Sequence, residues 1–172
     1  HPEALDNPFD GGRLAREAGV APCAWAAVDM ALWDRLARMS QQPLYRLLGL
    51  AHRAVATSVT IGILPPDIVR ERVPEILSRT GARYLKVKLG SPEGLDADQA
   101  MFAAVREAAR GHDVAVRVDA NGGWNLAGAR QMMLWLKEQG CDYVEQPLHY
   151  DADDELPALF ADRHCRSSLT SR

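Results

Sequence analysis

The chain has 172 residues, 47% of them apolar, so it can bury a sizeable core. A net charge of −3 and a pI near 6.0 give no basic field for nucleic acid, and no apolar run approaches the roughly 20 residues of a membrane span. Small-molecule chemistry is the function class left standing, with a small-molecule substrate as the expected partner.

The first twenty residues, among them Asn7-Pro-Phe-Asp-Gly-Gly12, cluster turn formers and show little periodicity, which predicts a loop. Pro22 suits a first helical turn, and Trp25, Val28, Leu32, Leu36 and Met39 recur at steps of three and four, predicting a helix over 22–39. A short helix over 44–48 ends at Gly49. The pattern then becomes strand followed by helix, repeated. Strands are predicted over 54–62, 84–89, 114–119 and 143–145, and helices over 66–79, 96–110 and 126–139. Asn125 is the expected N-cap of the last of these, Gly140 its stop, and residues 154–160 a short fourth helix that the acidic run Asp151 to Glu155 opens. Such alternation implies a parallel α/β sheet.

Polar groups recur at the strand ends: Thr60, then Lys86 and Lys88, then Asp119 and Asn121, then Glu145. They are spaced by about thirty residues, close to what one strand, loop and helix consume in a barrel of about 250 residues and eight units. This predicts the first four units of a β/α barrel, with the polar groups at one end of neighbouring strands. Alternation across a strand puts Lys86 and Lys88 on one face and Leu85, Val87 and Leu89 on the other. Side-by-side ammonium groups repel, and partial burial disfavours charge, so the pair is expected to lose a proton more readily than a free lysine. Asp119 and Glu145, one unit apart, can meet one hard cation such as Mg²⁺. Each motif alone has a plain structural reading, as solvated lysines, an Asx turn or a strand stopped by proline; their order and spacing together favour chemistry. Arg117 shares the face of Asp119 and is either a partner of the barrel carboxylates or a solvated charge. The tryptophans read as packing. His52, His112, His149 and His164 lack ligand spacing, and Cys23, Cys141 and Cys165 suggest neither disulfides nor zinc, which fits a reduced cytoplasmic setting.

Ala26-Ala-Val-Asp-Met-Ala-Leu-Trp-Asp34, Lys86-Val-Lys88, Val118-Asp-Ala-Asn-Gly-Gly-Trp124 and Val144-Glu-Gln-Pro-Leu148 resemble the muconate-lactonizing branch of the enolase superfamily. The resemblance implies a modified TIM-type (β/α) barrel preceded by an α+β capping domain. Residues 1–50 would be the end of the capping domain and 51–165 the first half of the barrel. It implies Lys88 as acid/base, Lys86 beside the substrate carboxylate, and Asp119 and Glu145 as two of three Mg²⁺ ligands. The reaction would remove a proton next to a carboxylate, giving an enediolate whose charge the cation balances. Ser58-Val-Thr-Ile-Gly-Ile63 is similar to dipeptide epimerases of the L-Ala-D/L-Glu type, in which the threonine at the Thr60 position holds substrate; Asn121 is assigned to substrate as well. Muconate cycloisomerase and o-succinylbenzoate synthase share the scaffold and are the alternatives, and a non-catalytic barrel fragment is the alternative of another class. The intact parent is expected to be a homo-oligomer.

Relatives place the third metal carboxylate in a segment resembling Pro-Ile-Phe-Ala-Asp-Glu-Ser on the fifth strand and a second lysine base on the sixth. Here the chain ends Arg166-Ser-Ser-Leu-Thr-Ser-Arg172, with Thr170 where the aspartate is expected. With one choice of GC-rich codons, deleting a nucleotide from the first codon of the expected segment yields these seven residues. Residues 166–172 are therefore read as an out-of-frame tail, and the chain as given is expected to have little or no epimerase activity.

Overall fold

The computed structural model describes residues 8–53, 55–161 and 166–168, and the chain divides into two compact units, one up to Val55 and the other from Ala56. The first unit is helical: α1 (Pro8–Glu17), α2 (Pro22–Met39) and α3 (Leu44–Leu47). The helix α1 stands where a loop is expected. Gly11, part of a Gly-Gly turn signal in the sequence, is a packing device instead. A Cβ on Gly11 would lie 2.1 Å from the Trp25 ring, so the missing side chain is what admits the indole of α2 against α1. Phe9 meets Trp33 edge-on with ring centroids 4.8 Å apart, a second contact between the same two helices.

The second unit alternates strand and helix: β1 (Val59–Ile61), α4 (Pro66–Thr80), β2 (Tyr84–Lys88), α5 (Leu95–Ala108), β3 (Ala115–Asp119), α6 (Leu126–Glu138) and β4 (Tyr143–Glu145). A 3-10 segment (Tyr150–Glu155) runs into α7 (Leu156–Ala161), and β5 (Arg166–Ser168) completes the described chain. The sheet order is β1-β2-β3-β4-β5 with every pairing parallel, as expected for the opening of a β/α barrel. The strand expected over 54–62 is shorter, Val59–Ile61, and the helix expected from Asp154 begins as the 3-10 turn at Tyr150.

One sheet face is dry. Leu85, Val87, Leu89, Val116, Val118 and Val144 lie in a core with Val69 and Val73 of α4, Phe102 and Val105 of α5, and Met132 and Leu136 of α6. Full burial of side chains this size contributes about 1.5–3 kcal/mol each, so this face fixes the strand register. A one-residue slip would bury Lys86 and Lys88. Asn125 caps α6 by accepting from the Gly128 N–H at 2.8 Å, as its sequence position suggests.

Candidate active site

Register places the polar face. Lys88 is aligned with Asp119, and Asp119 with Glu145, so the three stand in one row across β2, β3 and β4 at the strands' carboxyl ends. Lys86 and Arg117 are aligned one layer below, with Thr60 of β1 beside Lys86. Ser168 of β5 is aligned with Glu145. Thr170 lies outside the described residues.

The amines and acids of the site are in direct contact. Lys88 Nζ donates to Asp119 Oδ2 at 2.6 Å, and Lys86 Nζ to Glu145 Oε2 at 2.6 Å. Asp119 is the most enclosed of the four, its side chain 6% exposed against 30% for Lys88. These contacts correct the expectation for Lys86. The Lys86 ammonium is held above the usual lysine range, first because Glu145 accepts its hydrogen bond, an effect that outweighs the opposing cost of burial. Repulsion between the amines does not govern Lys86, because a carboxylate stands against each of them. Arg117 is neither a partner of Asp119 and Glu145 nor a solvated charge. Its guanidinium lies 3.9 Å over the Tyr84 ring and 5.1 Å from that of Tyr143, donates to Asp142 Oδ2 at 3.1 Å and reaches Ser58 Oγ at 3.4 Å.

The loops leaving the row are tightly specified. Asn121 and Gln146 both adopt positive φ, 51° and 42°, a conformation that costs a non-glycine residue about 1–3 kcal/mol and persists where surroundings over-determine it. The Asn121 N–H donates to Asp119 Oδ1 at 3.0 Å, and the Ala120 and Gly122 N–H groups donate to the carbonyls of Glu145 and Gln146 at 3.0 and 2.8 Å. The second carboxylate oxygen of Asp119 is thus fixed by its own loop. Asn121 is exposed at the row's rim, and Thr60 is exposed on β1.

Two features escaped the sequence reading. Asp98, buried on α5, accepts from three N–H groups behind the row; an acidic residue in a helix's first turn has too many ordinary uses to stand out. The other lies in the composition: the chain has only three lysines, Lys86, Lys88 and Lys137, and two of them face Asp119 and Glu145. Arginine, which cannot lose its proton near neutral pH, carries almost all the remaining basic charge.

Asp119 and Glu145 are hard oxygen donors on adjacent strand ends, and Mg²⁺ typically takes only one or two protein carboxylates while keeping several waters. The pair fits part of such a site. Among the described residues no group of three or more His, Cys, Asp or Glu side chains stands ready to hold a metal. Nor, among them, is any helix long and apolar enough to cross a membrane.

Comparison with known proteins agrees with this fold. The enolase C-terminal domain-like family matches residues 69–167, and the N-terminal domain of the mandelate racemase/muconate lactonizing enzyme family matches residues 12–49. A hydrophobic dipeptide epimerase of Roseobacter litoralis is 66% identical over 154 residues, covering 90% of this chain and 44% of that protein. Another hydrophobic dipeptide epimerase, from Flavobacteria bacterium, is 49% identical over 87% of this chain and 43% of its own length. The crystal structure of a dipeptide epimerase from Enterococcus faecalis, in complex with Mg and L-Leu-L-Tyr, superposes with a TM-score of 0.82 at 31% identity, covering 95% of this chain and 46% of that one. The chain therefore spans less than half the length of each of these relatives.

Proposed function

Since the chain belongs to the enolase superfamily, on its mandelate racemase/muconate lactonizing side, we propose that it carries the first-base half of a Mg²⁺-dependent dipeptide epimerase active site. The observation that carries this reading is the row of Lys88, Asp119 and Glu145 on three adjacent strands, with amine and acid 2.6 Å apart. Lys88 is the group placed to take the α-proton of the substrate once its hold on Asp119 is released. Lys86, one layer deeper, sets positive charge beside the substrate carboxylate, and Thr60 on β1 and Asn121 after β3, both exposed, serve as substrate contacts. Asp119 and Glu145 would hold Mg²⁺, which when bound supplies positive charge against the carboxylate as the α-proton leaves. With a cation held by Asp119 and Glu145, the two carboxylates would no longer depend on the ammonium groups for counter-charge, which would free Lys86 and Lys88 for the substrate.

A hydrophobic dipeptide is the preferred substrate class. The hydrophobic dipeptide epimerase of Roseobacter litoralis is 66% identical, whereas an L-Ala-D/L-Glu epimerase from Bacteroides thetaiotaomicron is 37% identical over 135 residues, so the narrower L-Ala-D/L-Glu expectation gives way. Inversion needs a base on each face of the α-carbon, and the third lysine of the chain sits on α6, away from the row. Lys88 alone can exchange the α-proton with solvent from one face. The experiment is incubation of the chain with Mg²⁺ and L-Leu-L-Tyr in D₂O, followed by NMR of the second residue's α-position. Deuterium uptake with retention of configuration, abolished by a chelator, is the expected result. No uptake at saturating Mg²⁺ and substrate defeats the reading of Lys88 as base in this chain.

A further inference from the structure

We propose that Asp98 is a positioning residue for the Lys88–Asp119–Glu145 row. The proposal rests on the reading of that row as the reacting groups. Asp98 is 1% exposed, and its hydrogen bonds go to none of the three. Its oxygens accept from the Gly90 N–H at 3.0 and 3.1 Å, the Ser91 N–H at 2.9 Å and the Trp124 indole N–H at 2.8 Å. Gly90 and Ser91 begin the loop that leaves β2 just after Lys88. Trp124 lies in the loop that leaves β3 after Asp119, and it is paired with Leu148 in the loop that leaves β4 after Glu145. One buried carboxylate, in the first turn of α5 where the helix dipole favours negative charge, therefore fastens the loop after Lys88 to the loop after Asp119 and, through Trp124, reaches the one after Glu145.

The loops can meet there only because two glycines face each other. A Cβ on Gly123 would stand 2.5 Å from the Gly90 Cα, and one on Gly90 would stand 2.3 Å from the Ala120 carbonyl oxygen. Leu89 N–H donates to the Asp119 carbonyl at 2.9 Å, carrying the ladder up to this contact. Hydrogen bonds to a charged acceptor are stronger than neutral ones, and in a buried site their loss is not made good by water. Three donors converging on one carboxylate thus set how far apart the ends of β2 and β3 stand, and so whether Lys88 Nζ and Asp119 meet.

The test uses the full chain labelled with ¹⁵N-lysine, in which only Lys86, Lys88 and Lys137 report and exposed Lys137 is the internal reference. Asp98→Asn is expected to shift or broaden the Lys88 ammonium resonance, to speed amide exchange of the segment holding Gly90 and Ser91 when the unlabelled chain is followed by hydrogen-exchange mass spectrometry, and to weaken binding of Mg²⁺ alone by about tenfold, as loss of outer support does at metal sites. Val105→Ala thins the core under the same helix without touching the loops, and is expected to lower the melting temperature while leaving the Lys88 resonance in place. An unmoved Lys88 resonance in Asp98→Asn, or an equal shift in Val105→Ala, overturns the proposal. If Asp98→Asn does not fold, Trp124→Phe removes the indole donor together with some ring volume and should move Lys88 the same way by less; no movement there overturns it too. A parent chain that fails to bind Mg²⁺ sinks the functional reading, while the lysine resonances still decide on Asp98.

Discussion

Two layers of charge lie on the same face of the sheet, two residues apart along β3, and they are built from opposite materials. The lower layer is Arg117, its guanidinium stacked on Tyr84, near Tyr143, and paired with Asp142. The upper is Lys88 against Asp119, with Lys86 reaching up from the lower level to Glu145. Arginine stays charged at any accessible pH and its planar fork suits stacking, so the lower layer is a fixed brace between strands. Lysine on a flexible stem can give up its partner and its proton. Salt bridges one layer apart thus carry different meanings on the proposed reading, in which the chemistry of the cation separates a brace from a base.

The largest effect that would test this contrast is at Lys88. Lys88→Met should reduce α-deuterium uptake by about a thousandfold, within the usual range for loss of a general base, while leaving the melting temperature close to that of the parent in saturating Mg²⁺, which would neutralise the Asp119 carboxylate the variant strands. Arg117→Met should do the reverse, lowering stability by about 1–2 kcal/mol through the lost stacking and the stranded Asp142, with uptake changed no more than a few-fold. Equal losses of uptake in both variants, with matched fluorescence and circular dichroism, would erase the distinction between the layers.

Asp119→Asn sharpens the upper layer. It keeps size and an acceptor oxygen but removes one of two proposed metal charges and the partner of Lys88. Stabilisation of the chain by millimolar Mg²⁺, which follows mass action for any ligand that binds only the folded state, should shrink to a few tenths of the parent shift in a thermal melt. A full-sized shift would place the cation elsewhere.

The upper layer was legible in the sequence because strand alternation and the spacing between strand ends are set by backbone geometry. Leu85, Val87 and Leu89 are buried, as their alternation with the lysines requires, and Asn125 caps α6 where an Asx side chain ahead of an apolar run should. The pairing of each lysine with a carboxylate was not legible, since it depends on reach across strands: Lys86 bypasses its aligned neighbour Arg117 to meet Glu145 on β4. Asp98 was hidden for the same reason, its donors lying 7, 8 and 26 residues away in two different loops. The helix α1 was hidden differently. Glycine pairs signal turns through backbone freedom, but at Gly11 what counts is the absence of volume, which only the tertiary partner Trp25 reveals.

Glycine as missing volume also separates the two units, and gives the smaller predictions. At Gly123 the obstacle to a Cβ is backbone, the Gly90 Cα and carbonyl oxygen at 2.5 and 2.9 Å, which can yield only by moving the loop that follows Lys88. Gly123→Ala should therefore cost about 1–3 kcal/mol, as overpacking does, and should also reduce the Mg²⁺ response. At Gly11 the obstacle is the Trp25 ring, which can turn aside, and alanine brings back about 1 kcal/mol of helix propensity. Gly11→Ala should consequently cost less than Gly123→Ala in urea unfolding, with the loss read as a change in Trp25 fluorescence and no change in Mg²⁺ response. A larger cost at Gly11 than at Gly123 would mean that the indole is held as rigidly as a backbone, and that the helical unit is packed as tightly around Trp25 as the barrel loops are around Asp98.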